Sequence, residues 1–387
     1  MRALHLPGVP SGQKPLFSFP DKPPSPSHLT YTAADYPLPN PPASSSEHTY
    51  QIRNLLTALT RGELTWEEIL APACFHPHGG AIPGHDVVGM IEKVIPASTS
   101  HADPKFKQGD KIWALLDFDR DGAAATYAIA KESELSLAPK KPESEEISDE
   151  EWYERLATLP LSGLTAYQAL FTHGNLPLPT TSPSTTPQKR VLILGAAGSV
   201  GLPTVQLAKA AGFSVVATAS ASSSHAIQPL LNPSTDTLID YTAADYTSLP
   251  SSFHALALTS VDLVVDCIGG ETLSSLLLTT TPPLSSIINP GSKVITIVAP
   301  IKVYRPTISA QITSNCANAG VDVKFFIVKP SGDELDVLGR WVREGKLKGH
   351  VHGARVFDLE HGREAMEVTE ARGRKGGGKV VVRIARE

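Results

Sequence analysis

The chain has 387 residues, 41% of them hydrophobic and 19% charged, with a mean hydropathy of −0.06. At roughly 150 residues per domain this is room for about two to three domains, and the composition is that of a folded globular chain rather than a disordered one. A net charge of −5, from 34 basic and 39 acidic residues, gives no electrostatic case for nucleic acid or an anionic membrane.

The longest apolar runs, such as Val294 to Ile301, fall far short of the roughly 20 residues that span a bilayer. Three widely spaced cysteines, Cys74, Cys267 and Cys316, make neither a disulfide framework nor a four-thiolate zinc site. The opening residues predict no secretory signal and the last four no retention or peroxisomal address, so the expected setting is reducing and cytoplasmic.

In chain order, the Pro/Ser-rich stretch from Phe19 to Ser46 reads as an extended surface excursion. Tyr50 to Leu59, Ala81 to Val94 and Gly109 to Leu116 read as strands separated by Gly/Asp turns. This opening third predicts a β-rich, partly open barrel that ends at the acidic linker Glu143 to Glu151. Trp152 to Phe171 reads as a helix broken at Pro160 and Gly163, and Pro177 to Pro187 as a surface loop.

Alternation follows: strand Arg190–Leu194, helix Ser199–Ala211, and strands Ser214–Ala219, Leu263–Cys267, Lys293–Val298 and Val321–Val328. Near-continuous apolar strands with helices between them predict a doubly wound parallel sheet covered on both faces, an α/β fold. The tail adds an amphipathic helix, Asp333 to Glu344, and a closing strand, Gly378 to Ile384.

Gly195-Ala196-Ala197-Gly198-Ser199-Val200-Gly201 lies between the first strand and the first helix of that sheet. Glycines there permit a tight turn and a close approach of backbone N–H groups to a diphosphate, and the helix N-terminus adds partial positive charge. A cofactor with a free ribose 2′-OH is held by an acid roughly 20 residues on. Here the second strand runs into Ser220, Ser222, Ser223 and His225 with no acid between Ser214 and His225, which predicts NADPH over NADH. Ile268, Val298 and Ala299 follow the C-terminal ends of later strands, where ligands bind in such sheets, and Phe326 ends the last one.

The segments Ile82 to Gly89 (IPGHDVVG), Leu159 to Leu170 (LPLSGLTAYQAL), Gly195 to Gly201, Asp266 to Gly270 (DCIGG) and Gly378 to Val382 together resemble the medium-chain dehydrogenase/reductase superfamily. Within it they are most similar to the zinc-independent quinone-oxidoreductase and enoyl-reductase branch. The resemblance implies a GroES-like β-barrel catalytic domain from residues 1–160 and 329–387, a Rossmann NADP(H)-binding domain from 161–328, and a cofactor in the cleft between them.

It also aligns Thr60 with the first zinc-ligand position of metal-dependent relatives, leaves His85 as the one ligand retained, and sets the third position near Ser162 and Gly163. A catalytic zinc needs three protein ligands, so no metal is expected. Cys74, His76 and His78, with His85, form a rival metal cluster. Thr60 and Glu63 match the positions of an Asn and an Asp in this branch, with Thr60 a donor and Glu63 a proton source or orienting acid. Arg61 either reaches a cofactor phosphate or pairs with Glu63. Thr165 matches a position that contacts the nicotinamide, and Trp66 and His85 are candidates for the substrate wall.

The reaction implied is hydride transfer from NADPH to a quinone or an α,β-unsaturated carbonyl, with no metal. A pathway-specific enoyl reductase or tailoring enzyme, a zinc-dependent alcohol dehydrogenase, and a non-catalytic NADPH-binding sensor are the competing readings. The apolar edge strand Val321–Val328, by analogy with relatives, predicts a homodimer.

Overall fold

The computed structural model describes residues 1–8, 17, 21–41, 45–66, 81–99, 102–179, 188–371 and 377–386. Cys74, His76 and His78 lie outside them, as does most of the insert from Pro177 to Pro187. Two compact units are formed, one from Met1–Leu164, Lys329–Arg374 and Gly378–Glu387, the other from Thr165–Val328 and Lys375–Gly377.

The chain first lays down β1 (Ala3–His5), β2 (Thr30–Thr32), β3 (Thr49–Leu59), β4 (Asp86–Ile95), β5 (Lys111–Leu115), β6 (Tyr127–Lys131) and β7 (Leu135–Leu137). It then builds the second unit with β8 (Arg190–Leu194), β9 (Ser214–Ala219), β10 (Thr237–Asp240), β11 (Val261–Asp266), β12 (Ile288–Thr296) and β13 (Asp322–Phe325). Finally β14 (Val351–Asp358) and β15 (Lys379–Arg383) return to the first unit.

In the first unit a seven-stranded mixed sheet runs β14-β15-β3-β4-β5-β7, with β6 pairing on β3. The closing strand β15 is antiparallel to β3, with Val380 opposite Leu59, and β4 lies on the other side of β3, with Asp86 opposite Ala58. Three residues distant in sequence thus reach neighbouring strand ends: Lys379 on β15, Thr60 just past β3, and Asp86 at the start of β4. Tyr50, Ile52, Val87, Ile91 and Ile112 fill one face, and Leu4, Leu59, Ile82, Met366 and Val380 form a second core. This is the GroES-like architecture.

The sequence reading of Ala81 to Val94 as one strand is corrected: the strand begins at Asp86. Pro83 lacks an N–H, and Gly84 at φ +86° turns the chain, with no room for a Cβ beside the Thr57 hydroxyl, 2.5 Å from where it would lie. Trp152 to Phe171 divides as expected, but into Asp149–Ala157, capped by the Ser148 side chain, and Pro160–Tyr167, which passes into a π-helical turn at Gln168–His173.

The six strands of the second unit are all parallel in the order β10-β9-β8-β11-β12-β13, which is the Rossmann arrangement. Leu192, Val216, Val264 and Val294 are buried from strands across this sheet, against Leu273, Leu276 and Ile312 from its helices. The edge strand is shorter than its apolar sequence suggests. Only Asp322–Phe325 pairs, and Asp322 and Lys324 are exposed, a charged edge that resists indiscriminate pairing.

Candidate active site

The Gly195–Gly201 turn is built by backbone geometry. Gly195 adopts φ +75°, and its N–H donates to the Thr218 hydroxyl on β9 at 3.0 Å. The Ala196 N–H donates to the Thr218 carbonyl at 3.0 Å, so the neighbouring strand anchors the turn through one residue that sequence reasoning missed. A Cβ on Gly201 would run into the Gly195 carbonyl, which is why the helix Gly201–Ala210 can start hard against the strand. Gly198 is different: a Cβ there would meet only the Gly195 oxygen, at 3.2 Å, and the residue is exposed. Among the described residues no acceptor faces the N–H groups of Ala197, Ser199 and Val200. The turn therefore fits the cradle of a dinucleotide diphosphate.

Asp266 closes the other side of this strand-end surface. Its buried carboxyl accepts from the Ile268 and Gly269 N–H groups at 3.1 and 2.9 Å and from the Thr296 hydroxyl at 2.7 Å. Burial raises its pKa, partly offset by those donors. The loop so shaped leaves Ile268 and Val298 46% and 45% exposed. The Ile268 side chain lies 2.6 Å from where a Gly195 Cβ would stand, and Val298 2.9 Å from the corresponding point on Gly269. Ala299 is half-buried, and Phe326 is buried against the His173 ring, 4.4 Å between centroids.

Past β9, the Ser220 hydroxyl lies 2.7 Å from Ser223 Oγ and 3.1 Å from Ser222 Oγ, and His225 is exposed. The structure adds a charge that the local sequence does not show. Asp240, at the end of β10 opposite Ala219, holds the Thr242 N–H and hydroxyl at 2.8 and 2.6 Å. Those hydrogen bonds keep its pKa low, so a carboxylate stands beside the serine loop.

The first unit holds the other candidate group. Glu63 begins a short 3-10 turn, Glu63–Thr65, entered through Gly62 at φ +82°. Its residue is 5% exposed, and neither carboxyl oxygen has a hydrogen-bond partner among the described residues. Burial pushes its pKa up to about 8 against the pull of the Lys379 ammonium. A carboxyl titrating near 8 is mostly protonated at pH 7.

Beside it, buried Lys379 forms an ion pair with Asp86 and donates to Thr60 Oγ1 at 2.7 Å. The other Asp86 oxygen accepts the Leu161 N–H at 2.6 Å. Burial raises the Asp86 carboxyl, and Lys379 draws it back down. Neither Lys379 nor Asp86 was singled out from sequence as part of the site. Arg61 is exposed and does not pair with Glu63, contrary to one of the two readings given for it.

His85 is buried, and its Nδ1 has no partner among the described residues. Burial, reinforced by Arg120, lowers its pKa to about 4, so the ring is neutral. It packs edge-on against Phe118 at 5.1 Å, and Phe118 against half-buried Trp66 at 5.0 Å. Trp66 and His85 are thereby brought together, with Phe118 as an unforeseen third member. Thr165 belongs to the second unit, buried in the body of Pro160–Tyr167 rather than capping it. Among the described residues no group of three or more His, Cys, Asp or Glu is placed to hold a metal ion. The zinc-ligand positions do not fit zinc: Thr60 faces an ammonium, and Ser162 donates to the Thr158 carbonyl at 2.8 Å. No described helix is long and apolar enough to cross a membrane.

Residues 234–382 match the family model of zinc-binding dehydrogenases. A protein of Arthroderma benhamiae described as a "probable zinc-binding oxidoreductase, mitochondrial" is 29% identical over 361 residues, 92% of this chain and 93% of its own length. The chloroplast envelope quinone oxidoreductase homolog of Arabidopsis thaliana is 30% identical over 283 residues, 72% of each chain. The crystal structure of Escherichia coli quinone oxidoreductase complexed with NADPH superposes with a TM-score of 0.68 at 18% identity, covering 99% of this chain and all of that one.

Proposed function

The chain is an oxidoreductase of the medium-chain dehydrogenase/reductase superfamily, in its quinone-oxidoreductase-like branch, and from that premise we propose that it reduces quinones or α,β-unsaturated carbonyl compounds with NADPH and without a catalytic metal. The observation that carries the reading is Glu63, a carboxyl whose pKa burial raises and whose oxygens have no side-chain partner among the described residues, next to a hydroxyl held by an ammonium where metal-dependent relatives place a zinc ligand. This centre offers protons and hydrogen-bond donors, not ligands.

The Gly195–Gly201 turn would hold the diphosphate, Ser220, Ser222, Ser223 and His225 the 2′-phosphate, and Ile268, Val298 and Ala299 the apolar side of the cofactor. When bound, NADPH supplies the hydride. Thr60 donates to the acceptor's carbonyl oxygen as negative charge gathers there. Glu63 gives the proton and recovers one from water, so each acceptor takes up one hydride and one proton. Trp66, with His85 and Phe118 behind it, forms an aromatic wall suited to a flat conjugated acceptor.

The test is NADPH consumption by the purified protein, before and after chelation, with p-benzoquinone and 2-cyclohexenone, together with elemental analysis. Turnover that survives chelation is expected. About one zinc per chain, lost together with activity on chelation, would overturn the reading. Independently of the reaction, and on the resemblance to relatives, we propose that two copies pair through the β13 edge. Light scattering should then give twice 41.2 kDa, and a mass of 41.2 kDa would refute it.

A further inference from the structure

We propose that Lys379 is a positioning residue that makes the Thr60 hydroxyl an obligate hydrogen-bond donor toward the bound acceptor. The inference rests on the reading above, in which Thr60 meets the acceptor's carbonyl oxygen.

An ammonium has three N–H donors and no lone pair to offer. The 2.7 Å contact between Lys379 Nζ and Thr60 Oγ1 therefore runs one way, from lysine to threonine. The single hydroxyl hydrogen of Thr60 has to point elsewhere, and among the described residues no acceptor takes it. Asp86, which shares Lys379 with Thr60, is already engaged: one oxygen holds Lys379 and the other the Leu161 N–H. Its backbone carbonyl accepts the Thr57 hydroxyl at 2.6 Å.

Lys379 is paired with Asp86, and a charged donor polarises the hydroxyl it binds. The arrangement is fixed by the sheet, because β15, β3 and β4 are adjacent and present these three residues at neighbouring ends. A threonine free to rotate could aim its hydrogen at any neighbouring acceptor. This one cannot turn toward Lys379 to donate.

The experiment compares wild type, Thr60→Val, the charge-neutral double variant Asp86→Asn/Lys379→Met, and the triple variant that combines all three substitutions, with p-benzoquinone as acceptor. Loss of one preorganised donor is expected to lower kcat/KM about 100-fold in Thr60→Val. The double variant should lose roughly tenfold in the presence of Thr60 and almost nothing further when Thr60→Val is already in place, since coupled residues are non-additive. Equal losses in both backgrounds would overturn the proposal. So would an undiminished kcat/KM in Thr60→Val.

A second readout needs no substrate. In ¹⁵N-labelled protein the slowly exchanging Lys379 ammonium signal, recognised by its loss in the double variant, should shift in Thr60→Val and hold in Thr60→Ser. An unmoved signal contradicts the bond itself. Should the double variant fail to fold, Lys379→Arg identifies the signal by its loss, and Thr60→Ser against Thr60→Val carries both measurements: the signal must hold in Ser and shift in Val, and Ser must recover most of the rate that Val loses. A wild-type protein inert toward p-benzoquinone would remove the functional reading and the proposal with it, while the ammonium signal would show that the bond had survived.

Discussion

The Gly195–Gly201 turn and the Thr60–Glu63 centre solve opposite problems. The turn exposes backbone N–H groups by having no side chains in the way, and its partners lie within one strand of it. The Thr60–Glu63 centre buries an ammonium and two carboxyls, and its members come from three separate stretches of chain. One ion pair, Asp86 with Lys379, balances the charge, and Glu63 is left to stay neutral. A site made of backbone tolerates chemistry and fails on shape. A site made of buried ionisable groups tolerates shape and fails on charge.

Substitutions that separate shape from charge give the largest effects at the turn. Gly201→Val forces a side chain into the Gly195 carbonyl and should destabilise the second unit by ~3 kcal/mol or more in urea unfolding. Gly198→Val should leave stability within ~1 kcal/mol of wild type, because only the Gly195 oxygen is crowded, at 3.2 Å, and need shift by only a few tenths of an ångström, yet weaken NADPH binding by roughly 100-fold or more. Equal destabilisation by both would mean that the turn is merely a packing feature.

At the Thr60–Glu63 centre the expected effect is one of pH. Glu63 titrates near 8 in the folded chain against an ordinary 4.5, so between those values the folded state holds a proton that the unfolded state has lost. Stability therefore falls as pH rises through that window, by up to ~1.4 kcal/mol per pH unit. Glu63→Gln removes the slope and should exceed wild type by a few kcal/mol at pH 8, while matching it near pH 4.5. Parallel stability curves for the two proteins would refute a neutral Glu63.

A smaller effect belongs to Asp240. Its carboxylate stands beside the serine loop, where it would oppose a 2′-phosphate. Asp240→Asn should tighten NADPH roughly two- to fivefold at low salt and leave NADH unchanged. A change in NADH alone would relocate the ribose.

How far each region is legible in sequence follows from the same contrast. β8 and β9 coincide with the apolar runs Arg190–Leu194 and Ser214–Ala219, and the glycines lie within seven consecutive residues, so strand, turn and helix are written locally. Glu63 and Thr60 were visible only through resemblance, and Lys379 and Asp86 not as site members, because their meeting depends on antiparallel pairings that bring residue 379 to residue 60. Asp240 escaped for a related reason: it is remote from the serine loop in sequence and adjacent only through β9–β10 pairing. The strands β1, β2, β6, β7, β10 and β14 were missed too. β14 carries Gly353 at φ +63° and Ala354 at φ +51°, an irregularity that hides its alternation.

The central claim, that this chain keeps a neutral carboxylic acid buried as its proton source, is tested most directly by infrared difference spectroscopy of wild type against Glu63→Gln across a pH titration. A protonated-carboxyl carbonyl band should be present in wild type at pH 7, disappear with a midpoint near pH 8, and be missing from the variant at every pH. A Glu63 carboxylate already formed at pH 6 would contradict the account.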